Sequence, residues 1–89
     1  MIAKRLIISG LVQGVFFRAN SQQTAQELGL VGWIKNTDND KVEAVIQGEV
    51  TKIEEFINWC QYKAPGKVRK IKEKQISIDK GFESFEILY

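Results

Sequence analysis

The sequence predicts an α/β (α+β) sandwich: two helices on one face of an antiparallel sheet, in the order βαββαβ, with one more short strand at the end. Three observations predict it. The apolar spacing switches twice from alternation to a three-and-four pattern, which marks two helices among strands. Each switch is bounded by glycine or by a cluster of turn formers. At 89 residues, a chain buries roughly 60–65% of its unfolded surface, enough for one modest core, so residues 1–89 read as a single domain.

Ala3 to Val12 sets Leu6, Ile8 and Val12 on one parity, which describes a strand with one buried face. From Phe17 the interval changes: Phe17, Ser21, Ala25 and Leu28 recur at helical spacing, and Gly29 supplies the residue that commonly follows a helix end. Leu30 to Asn36 is a second strand, Thr37-Asp38-Asn39-Asp40 a turn, and Val42 to Gln47 a third strand. Thr51-Lys52-Ile53-Glu54 has the form of a capping box and opens a helix whose Ile53, Phe56, Ile57 and Cys60 form one stripe. Ala64-Pro65-Gly66 ends it. Val68 to Ile78 is the fourth strand; Val68 and Ile71 differ in parity from Ile76 and Ile78, so a bulge is expected near Arg69-Lys70. Phe82 to Tyr89 is a short closing strand, with Phe82, Phe85, Ile87 and Tyr89 in ordinary strand packing. Right-handed crossovers and the split βαβ rule then give a ferredoxin-like sandwich, sheet order 4-1-3-2 with the last strand at an edge.

Composition narrows the chemistry. The net charge of +2 is too mild to call for a polyanion. No apolar run approaches the roughly 18 residues that cross a bilayer, and Ser9 and Gly10 interrupt the first apolar segment, so it does not read as a signal peptide. One Cys permits no internal disulfide, which fits the cytoplasm. The absence of His excludes Ser-His-Asp and Cys-His mechanisms and removes the commonest metal ligand. No arginine follows Cys60 at the distance of a cysteine phosphatase loop; the nearest downstream is Arg69.

The first crossover brings two polar residues to one place. From Phe17 to Leu28 a helix descends about 17 Å at about 1.5 Å per residue, and from Leu30 to Asn36 a strand climbs back about 20 Å at about 3.3 Å per residue. Asn36 therefore returns to the level of the loop Gln13–Phe17 and of Arg18. With one strand between them, the first two strands lie about 9.6 Å apart, a gap that an Arg side chain and a leaning loop can bridge. Gly14 allows successive amides to converge, the helix start presents free N–H groups, and Arg18 adds a two-pronged donor, a set suited to an anion and to phosphate in particular. Val15, Phe16 and Phe17 would hold such a loop from beneath. The plain alternative is a packed corner with a solvated Arg and a turn-capping Asn36. No Walker loop is present.

These residues resemble a known family. "GLVQGVFFR" (Gly10–Arg18), "LGLVGWIKN" (Leu28–Asn36) and the ending "FEILY" (Phe85–Tyr89) are similar to the acylphosphatases, in order and over nearly the whole chain. The resemblance implies a ferredoxin-like fold and hydrolysis of acyl phosphates to carboxylate and phosphate, without metal or cofactor. Carried over by position, Arg18 binds the phosphoryl group together with the amides of Gln13, Gly14, Val15, Phe16 and Phe17, and Asn36 holds the attacking water. Two departures stand out. Many members have Gly where Phe16 stands. The usual Asp-Gly of the next hairpin is Asn39-Asp40 here, and Asn39 is expected to take the left-handed conformation more readily than Asp40.

A second class of function competes. Lys63, Lys67, Arg69, Lys70, Lys72 and Lys74 cluster against one acid, Glu73, and ferredoxin-like sheets can bind RNA. Yet the third strand, Val42–Gln47, has no aromatic for bases to stack on, and lysines of this kind also guard a sheet edge. No nucleic acid and no membrane partner is expected; the partner is a small acyl phosphate, and the default assembly a monomer. Ser21 is expected to support the loop through a bond to nearby backbone, while Trp59 and Tyr62 pack at the core and its rim.

Overall fold

The computed structural model describes residues 1–89. Alternation decides which face each strand buries. In Ile2–Leu11 (β1), Leu6 and Ile8 are fully buried while Arg5, on the opposite face, is exposed. The chain continues through Phe17–Glu27 (α1), Val31–Asn36 (β2), Val42–Gly48 (β3), Val50–Tyr62 (α2), Lys67–Ile76 (β4) and Phe85–Ile87 (β5). The sheet order is β4-β1-β3-β2-β5, the expected 4-1-3-2 with the last strand at the edge. Phe17 and Ala25 of α1 and Ile53, Phe56 and Cys60 of α2 share one core with Leu6, Ile8, Ile34, Ala44 and Ile46 of the sheet, so both helices cover the same face. Each fully buried Leu, Ile or Phe contributes about 1.5–3 kcal/mol. Burial pushes the Cys60 thiol up, which keeps it protonated and unreactive.

Four strands pair antiparallel, but β5 pairs parallel with β2. The sheet is therefore mixed, and the reason lies in the connection before it. β4 ends at Ile76, not Ile78, because the chain leaves the edge there to cross toward β2. The side-chain amide of Gln47 on β3 fastens that crossing, donating to the Asp79 carbonyl (3.0 Å) and accepting from its N–H (2.8 Å). A chain that departs from the end where β2 begins can only run upward beside β2.

Other boundaries move for local reasons. Gly48 still belongs to β3, which leaves only Glu49 between strand and helix. The first helical bond, from the Ile53 N–H to the Glu49 carbonyl, makes Glu49 the N-cap. Thr51 thus sits inside the first turn, and no side chain caps the helix, contrary to the capping-box expectation. The β4 bulge is present: Ser9 pairs with Lys70 and Gly10 with Val68, leaving Arg69 as the extra residue. Tyr62, at 77% exposed, projects from the helix end instead of packing at the rim. In the β2–β3 hairpin Asp40, not Asn39, takes the positive φ of 64°. Asn39 is engaged through its side chain, whose Oδ1 accepts from the Thr37 hydroxyl at 2.6 Å, and the left-handed position of a three-residue loop is its last.

The basic run lies on β4, an edge strand, where Lys67, Arg69, Lys70, Lys72 and Lys74 are exposed and form no ion pair. That placement suits an edge kept from pairing with another chain. No helix is long and apolar enough to cross a membrane. Gly66, just ahead of β4, meets the site loop from one side: at φ +88°, an added Cβ would lie 2.2 Å from the Leu11 carbonyl oxygen and 2.8 Å from Val15 Cγ2. Gly66→Ala is expected to cost about 2–4 kcal/mol from overpacking and a left-handed backbone. Urea unfolding would show it as a lowered midpoint at constant slope.

Candidate active site

Between β1 and α1 the chain makes a loop whose amides have no partners. None of the backbone N–H groups of Gln13, Gly14, Val15 and Phe16 donates to any other group of the chain. The first bond of α1 runs from Asn20 N to the Phe16 carbonyl at 3.1 Å, so the N–H groups of Phe17, Arg18 and Ala19 are also left over, as at any helix start. Gly14 at φ 73° and Phe16 at φ 62° turn the backbone left-handed at alternate residues, the geometry that gathers successive N–H groups into an anion-binding concavity. Nothing lies within 4 Å of where a Gly14 Cβ would stand, so this surface of the loop is open.

The three apolar residues of the loop do not share one task. Phe17 is buried and packs near Trp59, ring centroids 6.3 Å apart, and Val15 is half-buried. Phe16 is 81% exposed, so it holds nothing from beneath. Its left-handed backbone costs a non-glycine residue about 1–2 kcal/mol, partly offset by the freedom a glycine would gain on unfolding, about 0.4–1 kcal/mol. Phe16→Gly is therefore expected to leave the melting temperature unchanged or raise it by up to about 10 °C in a thermal melt. A fall of that size would show the exposed ring to be a real contact.

Arg18 follows in the first turn of the helix. Its half-buried side chain forms no hydrogen bond and no ion pair. The guanidinium carbon lies 5.2 Å from the centroid of the Tyr89 ring, a contact that steadies the head without using its donors. Tyr89 thus belongs beside the site, not in ordinary strand packing. The parallel run of β5 explains this, since it carries the last residues to the end of the sheet where β1 and β2 finish. Periodicity gives no strand direction, so nothing in the sequence pattern could have found it.

Asn36 is the last residue of β2, paired with Val42 across the hairpin. It is half-buried, and its Oδ1 is fully buried without a hydrogen-bond partner. The loop and this strand end meet as the path lengths predict: the Gln13 side chain donates from Nε2 to the carbonyls of Thr37 (3.1 Å) and Lys41 (2.8 Å), the residues flanking the Asn36–Val42 pair. Ser21, one turn beyond Phe17, is fully buried, but its Oγ bonds to nothing, so the expected tie to nearby backbone is not made. The surface clefts lie elsewhere, between α1 and α2, between α2 and β1 with β4, and beside β5. The loop is open to solvent at Gly14.

Free loop amides, an unpaired Arg at the loop's end and the Asn36 carboxamide at the hairpin tied to the loop are the groups that the motif resemblance names. The acylphosphatase family model matches residues 4–87. The chain belongs to the acylphosphatase family. The acylphosphatase of Aeropyrum pernix is 39% identical over 93 residues, covering 100% of this chain and 90% of the relative. That of Acaryochloris marina is 39% identical over 89 residues, covering 99% and 95%. The crystal structure of acylphosphatase from Bacillus subtilis matches all of both chains at a TM-score of 0.94 and 33% identity. Membership makes the chain a hydrolase of the acid-anhydride class. The fold reached from spacing is the fold of the acylphosphatases, and the two segments that frame the site, Gly10–Arg18 and Leu28–Asn36, both lie inside the matched span.

Proposed function

We propose that this chain hydrolyses the carboxyl–phosphate anhydride of acyl phosphates to carboxylate and inorganic phosphate, using Arg18, the Gln13–Phe17 amides and Asn36 and no metal. It acts as a single-domain cytoplasmic monomer on a diffusible small molecule. The observation that carries the reading is the unbroken run of unbonded backbone N–H groups from Gln13 to the helix start, with an unpaired guanidinium beside it.

Substrate phosphate oxygens accept from these amides, whose field is reinforced by the positive end of α1. Arg18 donates two N–H groups to two further oxygens. Water held by the Asn36 carboxamide attacks phosphorus in line as the bond to the acyl oxygen breaks. The carboxylate leaves with both electrons of that bond, and the water's proton passes to the phosphate product or to solvent. A carboxylate is a good leaving group, so no strong general acid is needed. The protein's task is to position the water and to stabilise charge on the equatorial oxygens.

Benzoyl phosphate hydrolysis in the presence of a chelator tests this reading. Turnover that survives chelation supports it, and a folded protein without turnover contradicts it. A second expectation follows from the donor set, which holds no imidazole, thiol or carboxylate to serve as a general base. Turnover should vary less than about twofold from pH 6 to 8, and a sharp bell near 7 would require a general base this site lacks.

A further inference from the structure

The Gln13 side chain is the only side chain of the Gln13–Arg18 segment that hydrogen-bonds elsewhere, and it spends both amide hydrogens on the β2–β3 hairpin. Its two acceptors are not arbitrary. The Thr37 carbonyl belongs to the residue after Asn36. The Lys41 carbonyl also accepts from the Thr37 N–H at 2.9 Å, and the Lys41 N–H donates to the Thr37 hydroxyl oxygen at 3.1 Å, which closes the hairpin. One amide thus grips the hairpin immediately beside the Asn36–Val42 pair, while the same residue's backbone N–H is one of the unbonded amides of the loop.

We propose that the Gln13 side chain is a positioning residue: it fixes the distance between the cradle and the Asn36 carboxamide, and so sets where the attacking water stands relative to the bound phosphoryl group. The proposal rests on the acyl-phosphatase reading above. Asn36 is otherwise placed by its pairing with Val42 and by the Thr37–Lys41 bonds of the same hairpin, whose tip contains the left-handed Asp40. A hairpin tip held by a single ladder can shift by fractions of an ångström, and a misplacement of about 1 Å can cost about 10²-fold in rate. The tie does not touch phosphate binding, because the N–H groups of the loop belong to the backbone and remain when the side chain changes.

Gln13→Met keeps the length and volume of the side chain and removes both donors. The expected result is a kcat lowered about 10- to 100-fold, with KM and inhibition by inorganic phosphate within about twofold of wild type. The loss should vanish in the Asn36→Ala background, where no placed carboxamide remains to be misaligned. Three results overturn the proposal: unchanged kcat, a loss of phosphate binding that matches the loss of kcat, or a full additional loss on top of Asn36→Ala. If the Met variant does not fold, as judged by circular dichroism, Gln13→Asn serves instead, since it keeps the amide and lacks the reach. Wild-type hydrolysis of benzoyl phosphate is the control: its absence would sink the acyl-phosphatase reading itself, whereas active wild type with an unaffected Gln13 variant sinks only this inference.

Discussion

Arg18→Ala is expected to lower kcat/KM for an acyl phosphate by about 10³-fold or more, while the protein stays folded. Loss of one preorganised donor to a developing oxyanion typically costs about 10²–10³, or roughly 2.7–4 kcal/mol, and the guanidinium supplies two. Binding should fall with turnover, because these oxygens carry charge in the ground state as well. Stability should hardly change. Arg18 has no ion pair or hydrogen bond to lose, only its stacking on Tyr89, worth about 0.5–1 kcal/mol. Steady-state kinetics beside a thermal melt separate the two effects. Arg18→Lys should recover little, since a point charge cannot reproduce the planar fork. A variant that keeps wild-type kcat/KM would remove Arg18 from the site.

Asn36→Ala should produce a different signature: kcat lower by about 10²–10³, with inhibition by inorganic phosphate changed by less than about twofold. In the proposed mechanism Asn36 meets the water and not the phosphoryl group, so its loss acts on the step after binding. The fold should tolerate the change. Asn36 Oδ1 is already buried without a partner, and removing an unsatisfied acceptor tends to be neutral or mildly stabilising. If Asn36→Ala keeps full turnover, the water is held by something else. If phosphate binding falls in parallel, Asn36 belongs to the cradle instead.

The parts legible in the sequence are those that periodicity and path length control. Leu6, Ile8, Phe17, Ile53, Phe56 and Cys60 are all buried as their spacing requires, and the parity change on β4 marks a real bulge at Arg69. The meeting of the Gln13 loop with the end of β2 follows from nearly equal lengths of descent and ascent, and the Gln13 bonds to Thr37 and Lys41 bear that out. The illegible parts depend on tertiary direction and close approach. The parallel sense of β5, and with it the position of Tyr89 over Arg18, is set by a crossing pinned at Gln47 and Asp79. That Asp40 and not Asn39 turned left-handed reflects its place as the last residue of a loop closed by Thr37 and Lys41. Gly66 reads as a helix breaker in the sequence, and only the packing reveals its contact with Leu11 and Val15.

The most direct test of the cradle is a titration of the ¹⁵N-labelled protein with inorganic phosphate, followed by backbone amide shifts. The account predicts saturable shifts concentrated on Gln13 to Ala19, and their disappearance in Arg18→Ala. Shifts confined to the lysines of β4, or a loop unmoved at saturating phosphate, would contradict it.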